Sequence, residues 1–292
     1  MQIQKSFHKE SGGLYLVPTP IGNLEDITFR ALKILRTANV IAAEDTRNTK
    51  RLLNYFEIDT PLISYHEHNK LAREAHLLDR LQAGEMVALV SDAGMPAISD
   101  PGYELVHAAI KEDIETIVLP GANAALCALV GSGLATQEFL FAGFLPRKKK
   151  ERIAALERLK NLQATLLFYE SPHRLKETIA ALYEVLGDRH ASLARELTKK
   201  FEEYVRGTLD ELVDWTEKED IRGEFCIVVQ GNANPEEPSE TTWWEGLSIE
   251  AHVAAYIERE GITSKDAIKA TAKDRNMPKR EVYQIFHVDG EA

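Results

Sequence analysis

Along residues 14–119, short runs of β-branched and aliphatic side chains alternate with segments in which apolar residues recur every three or four positions. Side chains alternate faces along a strand but return to one face every 3.6 residues in a helix, so the two patterns mark two kinds of element. The continuous apolar runs predict strands at 14–17, 40–43, 62–65, 86–91 and 116–119. Between them, Ile27, Ala31, Ile34 and Leu35 predict one amphipathic helix, and Leu52, Leu53 and Phe56 a second. Leu105, Val106, Ala109 and Ile110 predict a third, with Asp100 placed to cap it and Pro101 at its first position. Strands alternating with helices predict a mostly parallel sheet flanked by helices.

After Gly133 the pattern resumes with a strand at 139–145, a basic helix at 149–160 and a strand at 165–169. An amphipathic helix through Ile179, Leu182, Tyr183 and Leu186 follows, then strands at 192–195, 203–206 and 225–230. Residues 232–240, with two prolines and three glutamates, read as a linker. Beyond it, Ile249, Val253 and Ile257, then Ala267, Ile268 and Ala272, then Val282, Ile285 and Phe286 predict three short helices of helix-turn-helix type. The expected organisation is therefore an α/β protein with two α/β domains, 1–133 and 134–231, a linker at 232–240 and a small C-terminal helical module at 241–292.

Length and composition agree with this, since 292 residues exceed one ordinary core, and 44% hydrophobic with 28% charged residues is a folding composition. The longest apolar run, around 124–130, is far shorter than the ~20 residues of a membrane helix, so neither export nor membrane insertion is expected. Two cysteines, Cys127 and Cys226, support no disulfide framework and no thiolate metal site, which points to a reducing cytoplasm. His66 and His68 alternate along a strand end without ligand spacing, so no metal is expected.

The formal charge of −11 excludes indiscriminate coating of nucleic acid, because phosphate binding is driven by Lys and Arg displacing counterions. RNA contact would have to come from local patches. One candidate is Arg147, Lys148, Lys149 and Lys150, beside Phe144 and Pro146. Another is 265–281, where Lys265, Lys269, Lys273, Arg275, Lys279 and Arg280 outnumber Asp266, Asp274 and Glu281. For both, a solvated surface is the competing reading.

In an open α/β sheet, ligands bind beyond the carboxyl ends of the strands, so the loops there carry the candidate chemistry. The first strand runs into Pro18, Thr19, Pro20, Ile21, Gly22 and Asn23, a rigid bend able to bring main-chain groups close to a ligand. The second ends in Glu44, Asp45, Thr46 and Arg47, where adjacent carboxylates beside a guanidinium can hold hydroxyls or perturb one another; helix capping by Asp45 or Thr46 is the alternative. The fourth runs into 91–102, the most informative stretch. There Ala93, Gly94 and Ala97 leave room for a flat ring, and Asp92 can accept bonds from hydroxyls or an amine. The fifth ends in Pro120, Gly121, Ala122, Asn123 and Ala124, a turn into a helix N-terminus. Further on, Tyr169, Glu170, Ser171, Pro172, His173 and Arg174 follow one strand, and Arg195, Glu196, Leu197, Thr198 and Lys199 another. No GxGxxG or GxxxxGK[ST] fingerprint occurs, which counts against an ordinary dinucleotide or ATP enzyme.

These stretches, in this order across roughly residues 13–231, resemble the ribosomal RNA small subunit methyltransferase I family of the tetrapyrrole methylase-like (class III) superfamily. The match lies in 19–24, 43–47, 91–94, 99–102, 169–174 and 195–199, joined by 144–148. Departures fall at Met95 and Ala97, where the family often has Thr and Gly, and at Ala122, Asn123 and Ala124, where Pro-Ser-Ala is common. The resemblance implies S-adenosylmethionine bound in a cleft between the two α/β domains, and 2′-O-methylation of a decoding-region cytidine in 16S rRNA of the small ribosomal subunit. It also implies a homodimer.

On this reading the cofactor contacts are expected from Pro18, Pro20, Gly22, Ser91, Asp92, Ala93, Gly94, Ile98, Gly121, Asn123, Ala124, Tyr169 and Glu170. RNA contacts are expected from Arg47, Arg147, Lys148, Lys149, Lys150, Arg174, Lys269 and Lys273. Glu44, Asp45, Glu196 and Lys199 are the candidates to take the proton from a ribose hydroxyl, and the sequence does not choose among them. A superfamily relative acting on a tetrapyrrole or another small acceptor, or a catalytically silent nucleotide- or RNA-binding module, are the competing functions. An acidic chain with confined basic patches is expected to prefer an assembled subunit to naked RNA, since shape must supplement charge.

Overall fold

Apolar runs of three to five residues become the strands of a first sheet in the computed structural model, which describes residues 3–4, 12–66, 70–235 and 243–287. They are Gly13–Leu16 (β1), Val40–Ala43 (β2), Leu62–Ser64 (β3), Met86–Val90 (β4) and Thr116–Val118 (β5), all parallel in the order β3-β2-β4-β1-β5. Each of β1 and β2 is buried throughout, as a sheet covered on both faces requires. On one face Ile41, Ala43 and Ala88 meet Ile34 and Leu35 of helix Phe29–Thr37 (α1) and Leu53 of Thr46–Tyr55 (α2). On the other, Val40, Val87 and Leu89 meet Leu77 and Leu81 of Lys70–Gln82 (α3) and Leu105 and Ala109 of Tyr103–Lys111 (α4).

One expected helix start is corrected. The α4 helix opens at Tyr103 with Gly102 at its cap position and no side-chain cap bond, rather than with Asp100 capping and Pro101 leading. Gly102 has φ +144, a conformation open to glycine, and the Asp100 carboxyl turns away to meet Glu44. Helix α3, whose buried Leu77 and Leu81 sit among charged residues, is an element the apolar pattern had not marked. His68 and the end of the expected linker, from residue 236 on, lie outside the described residues.

Helix Ala124–Ser132 (α5) leaves the first sheet and packs Ala125, Ala128 and Leu129 onto Leu167, Ala194, Cys226 and Val228 of a second sheet. That sheet has strands Phe139–Phe144 (β6), Thr165–Glu170 (β7), His190–Arg195 (β8), Glu203–Thr208 (β9) and Phe225–Val229 (β10), in the order β6-β7-β10-β8-β9. Only β6 and β7 pair in parallel; the other neighbours are antiparallel. Its far face is covered by Lys149–Glu157 (α6), Leu175–Leu186 (α7) and Leu209–Lys218 (α8), around Leu156, Phe168, Ile179, Leu182 and Leu212. Helix α8, also unmarked by the apolar pattern, opens on a reciprocal cap in which Thr208 and Glu211 each bond the other's backbone N–H. Sandwiched between α5 and the α6–α8 layer, the second sheet forms one compact unit with the first, ending at Pro235.

The other unit contains helices Ile249–Glu260 (α9), Ser264–Asp274 (α10) and Lys279–His287 (α11) around Val253, Ala267, Ile268 and Val282. Beside this core, His252 is buried among Trp243, Trp244 and Tyr256, and its Nδ1 accepts a bond from Arg275 Nε at 3.2 Å. No helix among the described residues is long and apolar enough to cross a membrane.

Candidate active site

Loops at the tips of the first sheet are tied together before any ligand is considered. Thr19 and Gly94 exchange two backbone hydrogen bonds of 3.0 Å, and Thr19 Oγ1 donates to Ser91 O at 3.2 Å. Ser91, buried, donates its own hydroxyl to the Ala93 and Gly94 carbonyls. Gly121 lies so close to Pro18 that an added Cβ would stand 2.6 Å from the proline ring. Gly22 similarly faces the loop after β8, where a Cβ would meet Lys199 Cγ at 2.4 Å, and Asn23 N–H donates to Thr198 Oγ1 at 3.1 Å. So Pro18, Gly121 and Gly22, expected at the cofactor, brace the loops, and none of the three lines the main cleft.

Between the two sheets these loops enclose a cleft of about 350 Å3. Ten expected residues line it: Asp92, Ala93, Gly94, Ile98, Asn123, Ala124, Tyr169, Glu170, Glu196 and Lys199. Pro20, Gly22 and Ser91 line instead an adjoining hollow of about 310 Å3, which also has Asn48, Arg51 and Tyr55 in its wall and shares Asp92 with the cleft. Asn123 caps α5 through Leu126 N–H at 3.0 Å, and the Tyr169 hydroxyl accepts from Ala125 N–H at 3.2 Å. Burial first of all pushes the Tyr169 phenol up to about 12, so it keeps its proton and remains a donor. Glu170 is used internally: buried, it accepts from Ser171 N–H at 2.8 Å and Thr178 Oγ1 at 2.7 Å.

Backbone strain concentrates at this cleft. Of seven non-glycine residues with positive φ among the described residues, Ala97, Ser99, Glu196 and Thr198 belong to its two bordering loops. Side chains rarely hold this conformation unless their surroundings over-determine it, and such residues cluster where ligands bind.

The proton-transfer candidates separate by environment. Asp45 caps α2 through Arg47 N–H at 2.8 Å and forms a two-bond pair with the Arg47 guanidinium, which holds its carboxyl down to about 2. Glu196 accepts from Glu224 N–H and from Lys199 Nζ, both at 3.0 Å, and is lowered chiefly by the former. Lys199, though partly desolvated, is raised by its bonds to Glu196 and Glu224 and stays charged. Glu44, in contrast, is raised by burial and then by Asp92. Asp100, which the sequence reading placed in the 91–102 loop and singled out by name as a helix cap, lines the cleft and is pushed up to about 7 by burial and by Glu44 beside it. Glu224, Phe225 and Cys226 also enter the lining; the latter two, read as strand residues, gave no chemical signal, and Glu224 just before the strand was not singled out.

Five carboxyl groups and one ammonium, with Ala93, Gly94, Ala124 and Ala194 between them, give this cleft the character of a site for a cation attached to a flat, partly apolar body. That fits a sulfonium nucleoside and disfavours a phosphorylated one.

Among residues expected at RNA, Arg147, Lys148, Lys149 and Lys150 are exposed in the run that opens α6. Lys148 and Lys149 form exposed pairs with Glu151 and Glu184. Lys269 and Lys273 are exposed on α10 of the second unit. Arg174, partly buried, donates to the Leu145 and Pro146 carbonyls at 2.8 and 3.1 Å and so fastens the loop after β6.

The family model of Tetrapyrrole (Corrin/Porphyrin) Methylases matches residues 13–213. A protein of Halalkalibacterium halodurans named ribosomal RNA small subunit methyltransferase I is 58% identical over 98% of this chain and 99% of its own. The Bacillus subtilis protein of the same name is 55% identical over 98% of both. Among solved structures, the methyltransferase CobJ superposes with a TM-score of 0.58 at 20% identity, covering 78% of this chain and 97% of its own. Uroporphyrin-III C-methyl transferase from Thermus thermophilus, complexed with S-adenyl homocysteine, gives 0.54 at 20% identity over 74% and 97%. With a family model over more than half its length and relatives above one-half identity from end to end, the chain belongs to the ribosomal RNA small subunit methyltransferase I family, within the tetrapyrrole methylases.

Proposed function

We propose that this chain transfers a methyl group from S-adenosylmethionine to the ribose 2′-hydroxyl of a decoding-region cytidine in 16S rRNA, acting on the small ribosomal subunit as a homodimer. The observation that carries the chemistry is the carboxyl-lined cleft of about 350 Å3 held between the two sheets, with a second hollow opening at Asp92. The names of the closely similar proteins support small-subunit ribosomal RNA as the acceptor.

When bound, the donor supplies an electrophilic methyl carbon on a positively charged sulfur. The cleft's task is alignment, because an in-line displacement depends on the angle and distance at which the hydroxyl approaches. Asp92, Asn123, Tyr169 and the small residues at 93, 94 and 124 hold and orient the donor. Lys199, fixed as a cation by Glu196 and Glu224, serves electrostatics rather than proton removal. The Asp100 carboxyl, coupled to Glu44, takes the hydroxyl proton as the C–O bond forms and the C–S bond breaks, since a base titrating near neutrality is both free to accept and strong enough to do so.

A tetrapyrrole acceptor is the weaker reading. The relatives above one-half identity are named for ribosomal RNA, whereas the uroporphyrin enzyme is similar at 20% identity, a likeness that speaks for the fold alone. Mass-spectrometric mapping of ribose methylation in 16S rRNA, with and without the protein, tests the proposal, together with calorimetric titration of the donor. New 2′-O-methylation at a decoding-region cytidine on assembled subunits is expected; donor binding without methylation of any ribosomal substrate would overturn it.

A further inference from the structure

We propose that Lys50, Arg51 and Arg73, beside Arg47, form the track that holds the phosphodiester backbone of the acceptor strand, with Tyr55 as the ring on which a neighbouring base stacks. The inference rests on the reading of the chain as an RNA methyltransferase and adds where the strand lies.

These four cations line a shallow groove of about 620 Å3 between α2, β3 and the start of α3, and no carboxylate among the described residues lines it. On a chain with a net charge of −11, such a segregated surface is unusual. Several exposed cations elsewhere are paired, as in Lys148 with Glu151, Lys176 with Glu217 and Arg222 with Asp220. Lys50, Arg51 and Arg73 are exposed and their side chains form no ion pair or hydrogen bond among the described residues. Arg47 and Lys50, three residues apart on α2, repel one another slightly, and the fold offers Lys50 no compensation. A polyanion would.

Position strengthens the case. Arg51 lines both this groove and the adjoining hollow, and Asp92 lines both that hollow and the cleft, so one unbroken surface leads from the cations to the acids. Along it Tyr55, 65% exposed, stands in the wall of the hollow with its edge against Phe56. Unstacked bases of single-stranded RNA settle on such rings while Arg and Lys follow the phosphates. A strand laid this way brings one ribose to the Asp92 border, beside Asp100, with its phosphates kept out of the carboxyl-lined cleft.

The test compares the wild type with K50A/R51A/R73A and with the charge-preserving K50R/R51K/R73K, using small subunits as substrate and calorimetric donor binding as the check on folding. The alanine variant is expected to bind donor as the wild type does, to show KM for the subunit raised at least tenfold with kcat within threefold, and to flatten the dependence of log K on log salt by about 2, at roughly 0.7 for each phosphate of a single strand left without its cation. The charge-preserving variant should recover most of the affinity, and Y55A should raise KM without changing the salt slope. An unchanged KM and salt slope in the alanine variant beside an active wild type overturns the track alone. A wild type that methylates no ribosomal substrate overturns the enzymatic reading and the track with it.

Discussion

Asp100 shows how an environment assigns a role that a residue type does not. With burial and Glu44 holding its carboxyl up to about 7, the folded protein keeps a proton that the unfolded chain releases near the usual ~3.9. Because the folded value is the higher one, stability is fullest below about pH 4 and declines as pH rises toward 7. Asp100→Asn should therefore melt at a higher temperature than the wild type at pH 8, the difference closing near pH 4. The same variant should lose methylation by roughly 10²–10⁴-fold and lose the limb of the pH–rate profile that rises through neutrality. A retained limb would assign the proton elsewhere. At Gly121, where an added Cβ meets the Pro18 ring at 2.6 Å, Gly121→Ala should cost about 1–3 kcal/mol by denaturant unfolding and weaken donor uptake, because neither loop can retreat without moving the cleft wall. Sequence made Asp92 and Gly94 legible as cleft residues, since polar and small residues at strand tips announce a pocket. It misassigned Asp100 because Asp-Pro ahead of an apolar period is also what a helix start looks like, and burial beside Glu44 is a three-dimensional fact.

The elements were legible where one force dominated. Strand β2 occupies residues 40–43 as read, because a continuous aliphatic run in a doubly covered sheet has one stable arrangement. Helices α3 and α8 escaped because their buried residues, such as Leu77 and Leu81 or Leu209 and Leu212, are few and interleaved with charge. A local signal did exist for α8 in Thr208 and Glu211, the reciprocal cap at its start. Thr208→Ala should lower stability by about 1 kcal/mol, read as a shift in the urea midpoint at constant slope, whereas a loss below the error of the measurement would mean that packing alone holds the helix. The antiparallel pairing of β8, β9 and β10 was not legible either, since the runs look alike whichever way they pair. Helix α5 is apolar on nearly every side, yet it buries only one face and leaves Leu126 and Val130 exposed; it belongs to the second sheet by packing and to the first by connection.

For the molecule as a whole, each unit carries its own apolar core among the described residues, the first within residues 12–235 and the second around α9–α11. A chain ending at Pro235 is therefore expected to fold cooperatively and take up donor with unchanged affinity, which circular dichroism and calorimetry would show; collapse of either signal would refute the separate cores. Whatever the helical unit contributes should then appear only with the ribosomal substrate. The excess of carboxyl groups around the main cleft has a last consequence, for selectivity among cellular metabolites. Adenine nucleotides share the donor's base and sugar and are abundant, but each brings phosphates where this pocket presents acid. Such a lining works as a charge sieve: ATP in large excess should fail to displace the sulfonium ligand in a competition titration, so methylation would stay insensitive to the energy state of the cell.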